Sequence, residues 1–414
     1  MRYLNRKKIY LFLFIWCGLL IFQCDIFDKV IDNGHLDAKT RGDMFRLDGV
    51  AYPMEYANYQ LNSYVPVMSG ATGKLLWSRN FSEANENFLL IPRAVLIKGD
   101  HIGVLSTDNL LIYRPDGAYQ HMIPLGSGTP VVFGRSAIAY LVPAYLLNYE
   151  KYSGKLILEE GEFPALREWA DVMLFQPDDD EFIAAVQFTG GPRPAVLPKE
   201  YDIYRKKIEK SFVRWKYGGE GTIDSAMITN DNRKIVIIQK SKVSLFDIVN
   251  ITLESGFDLA FDEIETASLD LQNNLVFIGR GAKNKGLHPY LSKCALSGKI
   301  LWEYQVHNPQ THQPPVSGND GRIYLVDRDH LECIDKTLKW KLDLKNKDNA
   351  LMTVTSNNAV ILLQGNQLSV VDGDGKVKFS LQITDEEESF DAPPAVDSNG
   401  RIYIASDKKL YCYE

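Results

Sequence analysis

Residues 314–335 read PPVSGNDGRIYLVDRDHLECID, and residues 393–414 read PPAVDSNGRIYIASDKKLYCYE. At a constant offset of 79 the Pro-Pro pair, the Gly-Arg-Ile-Tyr run and Leu-x-Cys coincide. An offset of that size holds two units of about 40 residues. A weaker copy, VTSNNAVILLQGNQLSVVDGDGK, lies between them at 354–376. Each copy runs in the same order: a polar turn, a short alternating apolar strand, a second turn, a further strand and a Gly/Asp turn. Alternation bounded by Asn, Asp and Gly reads as antiparallel hairpins.

A second phrase closes the unit. Residues 71–81, ATGKLLWSRNF, and residues 295–306, ALSGKILWEYQV, share a turn, Gly-Lys, two aliphatics and a Trp. Gly73 and Gly298 supply the turn into an outer strand, a role that suits a residue without Cβ. Trp77, Trp302 and Trp340 are expected to fill the gap between neighbouring wedge-shaped sheets. Four short strands in about 40 residues is the pattern of a β-propeller blade. First-hairpin turns recur at KGDHIGVL (98), FGRSAIAYL (133), PDDDEFIAAV (177), TNDNRKIVII (229), LQNNLVFIG (271), GNDGRIYLV (318), SNNAVILL (356) and SNGRIYIA (398). Closing strands centre near Trp77, His121, Leu158, Trp215, Phe257, Trp302, Trp340 and Phe379. Both series number eight.

The two series are out of phase at the ends. The repeats begin with a closing strand, and the last unit lacks one. An open ring would leave two unpaired sheet edges, so residues 73–77 are expected to complete the blade of residues 393–413. The fold expected is all-β, an eight-bladed propeller over residues 45–414. Seven blades is the alternative. It needs one weak unit between 160 and 265 to be an insertion, in a region where FTGGPRPAVLPKEY at 188–201 reads as an extended loop.

The N-terminal end is a separate object. Arg2, Arg6, Lys7 and Lys8 precede an apolar run from Ile9 to Phe22. The run is short for a transmembrane helix and has the form of a secretory signal. Residues 1–23 are read as a signal peptide and residues 24–44 as an anchor linker. Cys24, behind the apolar run, resembles the lipidated cysteine of bacterial lipoproteins, with Gln23, after the bulky Phe22, where that family usually has a small residue. An uncleaved signal anchor is the alternative. Acyl chains on Cys24 would hold the domain at a membrane, each buried CH₂ contributing about 0.8 kcal/mol. The formal charge of −7 becomes about −11 without the four basic residues of the signal. With no basic run beyond the first eight residues, a nucleic-acid partner is not expected. A hydrophobic content of 45% supports a large core.

The repeat resembles the pyrroloquinoline-quinone-like (PQQ-like) propeller family. Thr72, Gly73, Lys74 and Trp77 match its S/T-G-K-x-L-W phrase, as do Ser297, Gly298, Lys299 and Trp302; Ser153, Gly154 and Lys155 match the turn alone. The resemblance covers roughly residues 65–414. With a lipidated N-terminus, the architecture is similar to the propeller lipoproteins of the outer-membrane β-barrel assembly machinery, which are non-enzymatic scaffolds. The resemblance implies a protein partner in a bacterial envelope. The quinone enzymes of the same superfamily hold their cofactor with calcium, use an Asp base and often join adjacent cysteines; this chain has no adjacent cysteines.

The residues themselves carry little chemistry. Cys294, Cys333 and Cys412 fall in apolar strands and read as small core residues. PDDDE at 177–181 and VDGDGK at 371–376 fall at hairpin turns, and the second lacks the distal Glu of an EF-hand loop. His307 and His312 flank NPQT without the further ligands a zinc site needs. GGEG at 218–221 lacks the Lys-Ser/Thr of a phosphate loop. No catalytic residue, metal or cofactor is expected. A binding scaffold is the leading expectation, with the loop holding Gly190, Gly191, Arg193 and Lys199 as candidate contact region. A ligand sensor or surface-binding protein and a divergent quinoprotein oxidoreductase are the alternatives.

Overall fold

The computed structural model describes residues 71–83, 91–125 and most of 223–414 continuously; elsewhere between 50 and 220 it describes chiefly the strands named below. Among the described residues the strands pair into eight sheets, six of four strands and two of five. The first holds Pro92–Lys98, His101–Ser106, Asn109–Tyr113 and Tyr119–Pro124. The second holds Val131–Phe133, Ala137–Val142, Leu146–Lys151 and Leu156–Glu160. The third holds Ala170–Asp178, Glu181–Phe188, Glu200–Lys207 and Gly219–Glu220, and the fourth Ser225–Ile228, Lys234–Gln239, Lys242–Asp247 and Leu253–Asp258. The fifth is Glu263–Leu269, Leu275–Arg280, Tyr290–Cys294 and Ile300–Gln305, and the sixth Val316–Ser317, Ile323–Asp327, His330–Asp335 and Thr337–Asp343. The seventh is Ala350–Thr355, Val360–Gln364, Gln367–Val371 and Val377–Gln382. The eighth joins Ala395–Val396, Ile402–Ala405 and Lys409–Tyr413 to Leu75–Asn80, more than 300 residues earlier in the chain.

Every first-hairpin turn expected from the sequence falls between the first and second strands of one of these sheets. Of the expected closing-strand centres, Trp215 and the turn residues Ser153, Gly154 and Lys155 lie outside the described residues, as do residues 189–199 of the expected long loop.

Burial falls from the first strand of a sheet to the fourth. Ser225–Ile228 and Ala350–Thr355 are buried throughout, whereas Leu253–Asp258 is exposed except at Phe257. Strands buried on both faces read as continuous apolar runs, and the outermost strand can carry charge. Adjacent sheets share cores. Val236 of the fourth lies in one cluster with Phe277 of the fifth, and Ile278 of the fifth in one with Leu325 of the sixth. Tyr324 of the sixth shares a cluster with Leu362 of the seventh, and Leu110 of the first with Phe133 of the second. One cluster joins Ile361 of the seventh, Tyr403 of the eighth and Val95 of the first. Inner strands are also tied across sheets by side chains. Ser268 Oγ donates to the Pro315 carbonyl at 2.6 Å, and Thr353 Oγ1 to the Pro394 carbonyl at 2.6 Å. These bonds use the first-strand Pro-Pro pairs, whose carbonyls remain acceptors.

The closing strand lies where the phase argument puts it. Leu75–Asn80 runs antiparallel to Lys409–Tyr413, with Ser78 opposite Tyr411 and Asn80 opposite Lys409. The Thr72 and Gly73 amides donate to the Glu414 carbonyl at 2.7 and 2.9 Å, and the Glu414 amide donates to the Lys74 carbonyl at 2.9 Å. The eighth sheet then packs on the first through Ile402–Ala405 and Pro92–Lys98. The result is a β-propeller-like arrangement of four-stranded meanders.

Candidate functional site

The repeated phrase builds a joint between sheets. Trp77, on the outer strand of the eighth sheet, lies over Gly117 of the first, and its indole N–H donates to the Pro115 carbonyl at 3.0 Å. Trp340 of the sixth sheet lies over Gly375 of the seventh in the same way and donates to the Gly373 carbonyl at 2.9 Å. Phe379 and Leu381 of the seventh cover Gly73, and Phe257 of the fourth covers Gly298. Gly375 has φ +82°, and a Cβ there would stand 2.7 Å from the Trp340 ring. Glycine is required twice over, by backbone and by contact. Trp302 packs against the core shared by the fifth and sixth sheets. The turn residue four positions before Trp340 is Lys336, a non-glycine at φ +59°.

The Gly-Arg-Ile-Tyr run serves the same joint. Tyr324 and Tyr403 lie beneath Trp340 and Trp77, each pair with ring centroids 6.0 Å apart. Cys333 and Cys412 stand directly opposite those tryptophans in the ladder. Burial pushes the Cys294 and Cys333 thiols up to about 11 and Cys412 up to about 12. A thiol at those values is not a nucleophile at neutral pH.

The acidic turns serve the backbone. Asp372 Oδ1 accepts the amides of Asp374 and Lys376 at 3.0 and 2.9 Å, and the Lys376 amide heads the contacts that hold its pKa below the ordinary value. Asp270, 1% exposed, accepts the Gln272 and Asn274 amides and pairs with Lys293 Nζ at 2.7 Å. His307 faces Asp327 Oδ2 at 3.3 Å, and His312 lies outside the described residues. Among the described residues no group of three or more His, Cys, Asp or Glu is arranged to hold a metal ion.

Two further strands were not legible in the sequence. Tyr64–Val65 adds in parallel to the inner strand Ala350–Thr355, with Tyr64 opposite Val354 and Val65 opposite Thr355. The Ser356 amide continues the pairing by donating to the Val67 carbonyl at 2.9 Å. Val65 is fully buried in the core shared by the seventh, eighth and first sheets. Val50–Tyr52 adds antiparallel to Pro92–Lys98 with an irregular register and lies against Ala395–Val396. The inner edges of the first and seventh sheets thus hold extended chain by backbone pairing. The sequence signals are Val50–Tyr52 before Pro53 and Tyr64–Val65 before Pro66, runs too short to read as strand. Cys24 and the candidate contact residues Gly190, Gly191, Arg193 and Lys199 lie outside the described residues.

No family model matches the chain, and no curated protein matches it. Among solved structures it is similar to the computationally designed Ika8 protein, at 11% identity and TM-score 0.56, covering 79% of this chain and 97% of that one. Hsv2 of Kluyveromyces lactis with its complete loop 6CD aligns over 69% of this chain and 96% of that one, at 9% identity and TM-score 0.47. A form of Hsv2 with loop 6CD replaced by a Gly-Ser linker gives TM-score 0.46 over the same shares. The likeness to the designed protein is one of fold alone.

Proposed function

We propose that this chain is an eight-bladed, PQQ-like propeller lipoprotein, anchored through Cys24, that serves as a non-enzymatic protein-binding scaffold in a bacterial envelope. The eight-bladed reading draws on the eight sheets and on the contact between the last and the first. The binding reading rests on one observation above all. The inner edges of two sheets hold extended polypeptide by backbone pairing, in one parallel and one antiparallel register. Strand addition of this kind takes affinity from main-chain hydrogen bonds and specificity from side-chain pockets. One inner edge takes a parallel segment and the other an antiparallel one, the two directions in which an extended segment of a partner protein could add. The loop around Gly190, Gly191, Arg193 and Lys199 would add a second contact.

A photo-crosslinking residue placed at Lys98 or Ser356, beside the inner edges, is compared in whole envelopes with one at Leu253 on an outer strand. The expected result is a defined set of envelope-protein adducts from the inner-edge positions. Adducts from Leu253 alone, or recovery of the propeller without partners from every position, would overturn the scaffold reading. Appearance of a quinone absorption band after incubation with cofactor and calcium would replace it with the oxidoreductase alternative.

A further inference from the structure

In six of the sheets, where the side chains are described, the third strand holds one residue at a fixed point in the ladder. Leu111, Ser244, Ser292, Ser369 and Tyr411 hold that point in the first, fourth, fifth, seventh and eighth sheets. In the sixth sheet it is Glu332, opposite Leu325 and Lys341. Four of the five other residues are uncharged at any ordinary pH, and Tyr411 is held neutral by a pKa raised mainly through burial. Among the described residues Glu332 is the one carboxylic acid that stands at this point itself; at the eighth sheet Glu388 reaches the Tyr411 hydroxyl at 2.9 Å but is also 3.4 Å from Lys409 Nζ. Glu332 is 6% exposed, and its Oε2 is buried without a hydrogen-bond partner.

The surroundings are acidic on one side. Asp327, itself buried, lies on the neighbouring strand, where its carboxylate is occupied by the His307 and Asn308 amides at 2.9 and 2.6 Å. Tyr304 approaches from the outer strand of the fifth sheet, and its hydroxyl pKa is raised by burial, then by the charges of Glu332 and Asp327. The basic groups that face Glu332 are His330 on its own strand, His307 on the connection from the fifth sheet, and Lys341 on the outer strand. His330 Nδ1 lies 2.8 Å from Asp343 Oδ1, a distance that makes an ion pair only when the imidazole is protonated, and outside hydrogen-bond geometry. His307 is drawn to Asp327. An ionised Glu332 would therefore leave a buried carboxylate oxygen unpaired beside a second buried carboxylate, which is costly in a dry joint.

We infer that the joint between the fifth and sixth sheets holds a proton-binding site centred on Glu332, whose occupancy sets how tightly the two sheets close around Tyr304 and His307. With the proton bound, the carboxyl is neutral and can donate from the oxygen that otherwise has no partner. With the proton lost, the charge pushes against Asp327 and the joint loosens. Burial first, and Asp327 second, raise the Glu332 pKa above its ordinary value. The folded protein thus holds this proton more tightly than the unfolded chain. The stabilisation is full below the ordinary glutamate range and is lost as pH rises through it to the raised folded value.

The test is made on the full chain. Melting temperature is followed from about pH 4 to about pH 8 for the wild type, Glu332→Gln and Glu332→Ser, the latter restoring the residue of three other sheets. The expected result is a melting-temperature gain of both variants over wild type that appears only as pH rises and widens towards neutrality. Faster amide exchange at 304–307 in the wild type accompanies it, and this change is absent from both variants. A difference between wild type and variants that is constant with pH would overturn the proposal. Should the variants fail to fold, ¹³C-carboxyl titration of Glu332 in the wild type decides: a midpoint above the ordinary glutamate range supports the site, and an ordinary midpoint overturns it.

Discussion

Gly375 carries more constraint than any of its neighbours in the turn. Its φ of +82° is left-handed, and the Trp340 ring occupies the space of a side chain. Gly321 has nearly the same φ, +80°, with open space around it. Gly321→Ala is expected to cost roughly 1–2 kcal/mol from backbone strain alone. Gly375→Ala is expected to cost roughly 2–4 kcal/mol, because the ring must also move. Denaturant unfolding of the two variants separates the terms, and equal losses would refute the Trp joint. Lys336 occupies a left-handed position without being glycine. Lys336→Gly is expected to stabilise by about 0.5–1 kcal/mol, the relieved strain exceeding the added freedom of the unfolded chain. The three buried thiols should resist a disulfide reagent in the folded state at neutral pH and react together on unfolding, as their raised pKa values require. Fast labelling of one of them in the folded protein would place it at the surface instead.

Strands differ in how far their own residues announce them. Those of the fifth to eighth sheets were legible because turn and strand chemistry repeat together: Asn, Asp or Gly at the first hairpin, Gly-Lys before the outer strand in all but the sixth, where Lys336 holds the turn, and an aromatic four residues on. Gly298 and Trp302 mark the fifth sheet's outer strand, and Gly73 and Trp77 mark the eighth's. Even the closing strand, more than 300 positions from its partner, was legible, because an unpaired edge at each end of the repeat leaves one economical pairing. The inner-edge strands were not legible. Val50–Tyr52 and Tyr64–Val65 span three and two residues, and what makes them strands is the edge they meet rather than any period of their own. Glu332 was hidden for a related reason. In sequence it is one Glu in an apolar strand, and its oddity appears only when the ladders place it level with Ser292 and Ser369.

At the scale of the whole molecule, the first and second sheets share a core, as do the fourth through eighth and first in turn, with inner-strand hydrogen bonds and outer aromatic joints, and strands more than 300 residues apart meet in the eighth sheet. Closure should make the molecule cooperative, because losing the joint at the eighth sheet exposes the edge of Lys409–Tyr413 and loosens the core it shares with the seventh and first. The measurement that tests this most directly is amide exchange over residues 402–413 in Ser78→Pro and Arg79→Pro. Alternate residues donate in an antiparallel ladder, so one of the two substitutions removes a bond to Lys409–Tyr413. Closure predicts that exchange in that strand accelerates in at least one variant, although no residue of 402–413 has changed. Unaltered protection of 402–413 in both variants would mean that Leu75–Asn80 does not complete the eighth sheet, and the closed ring would be contradicted.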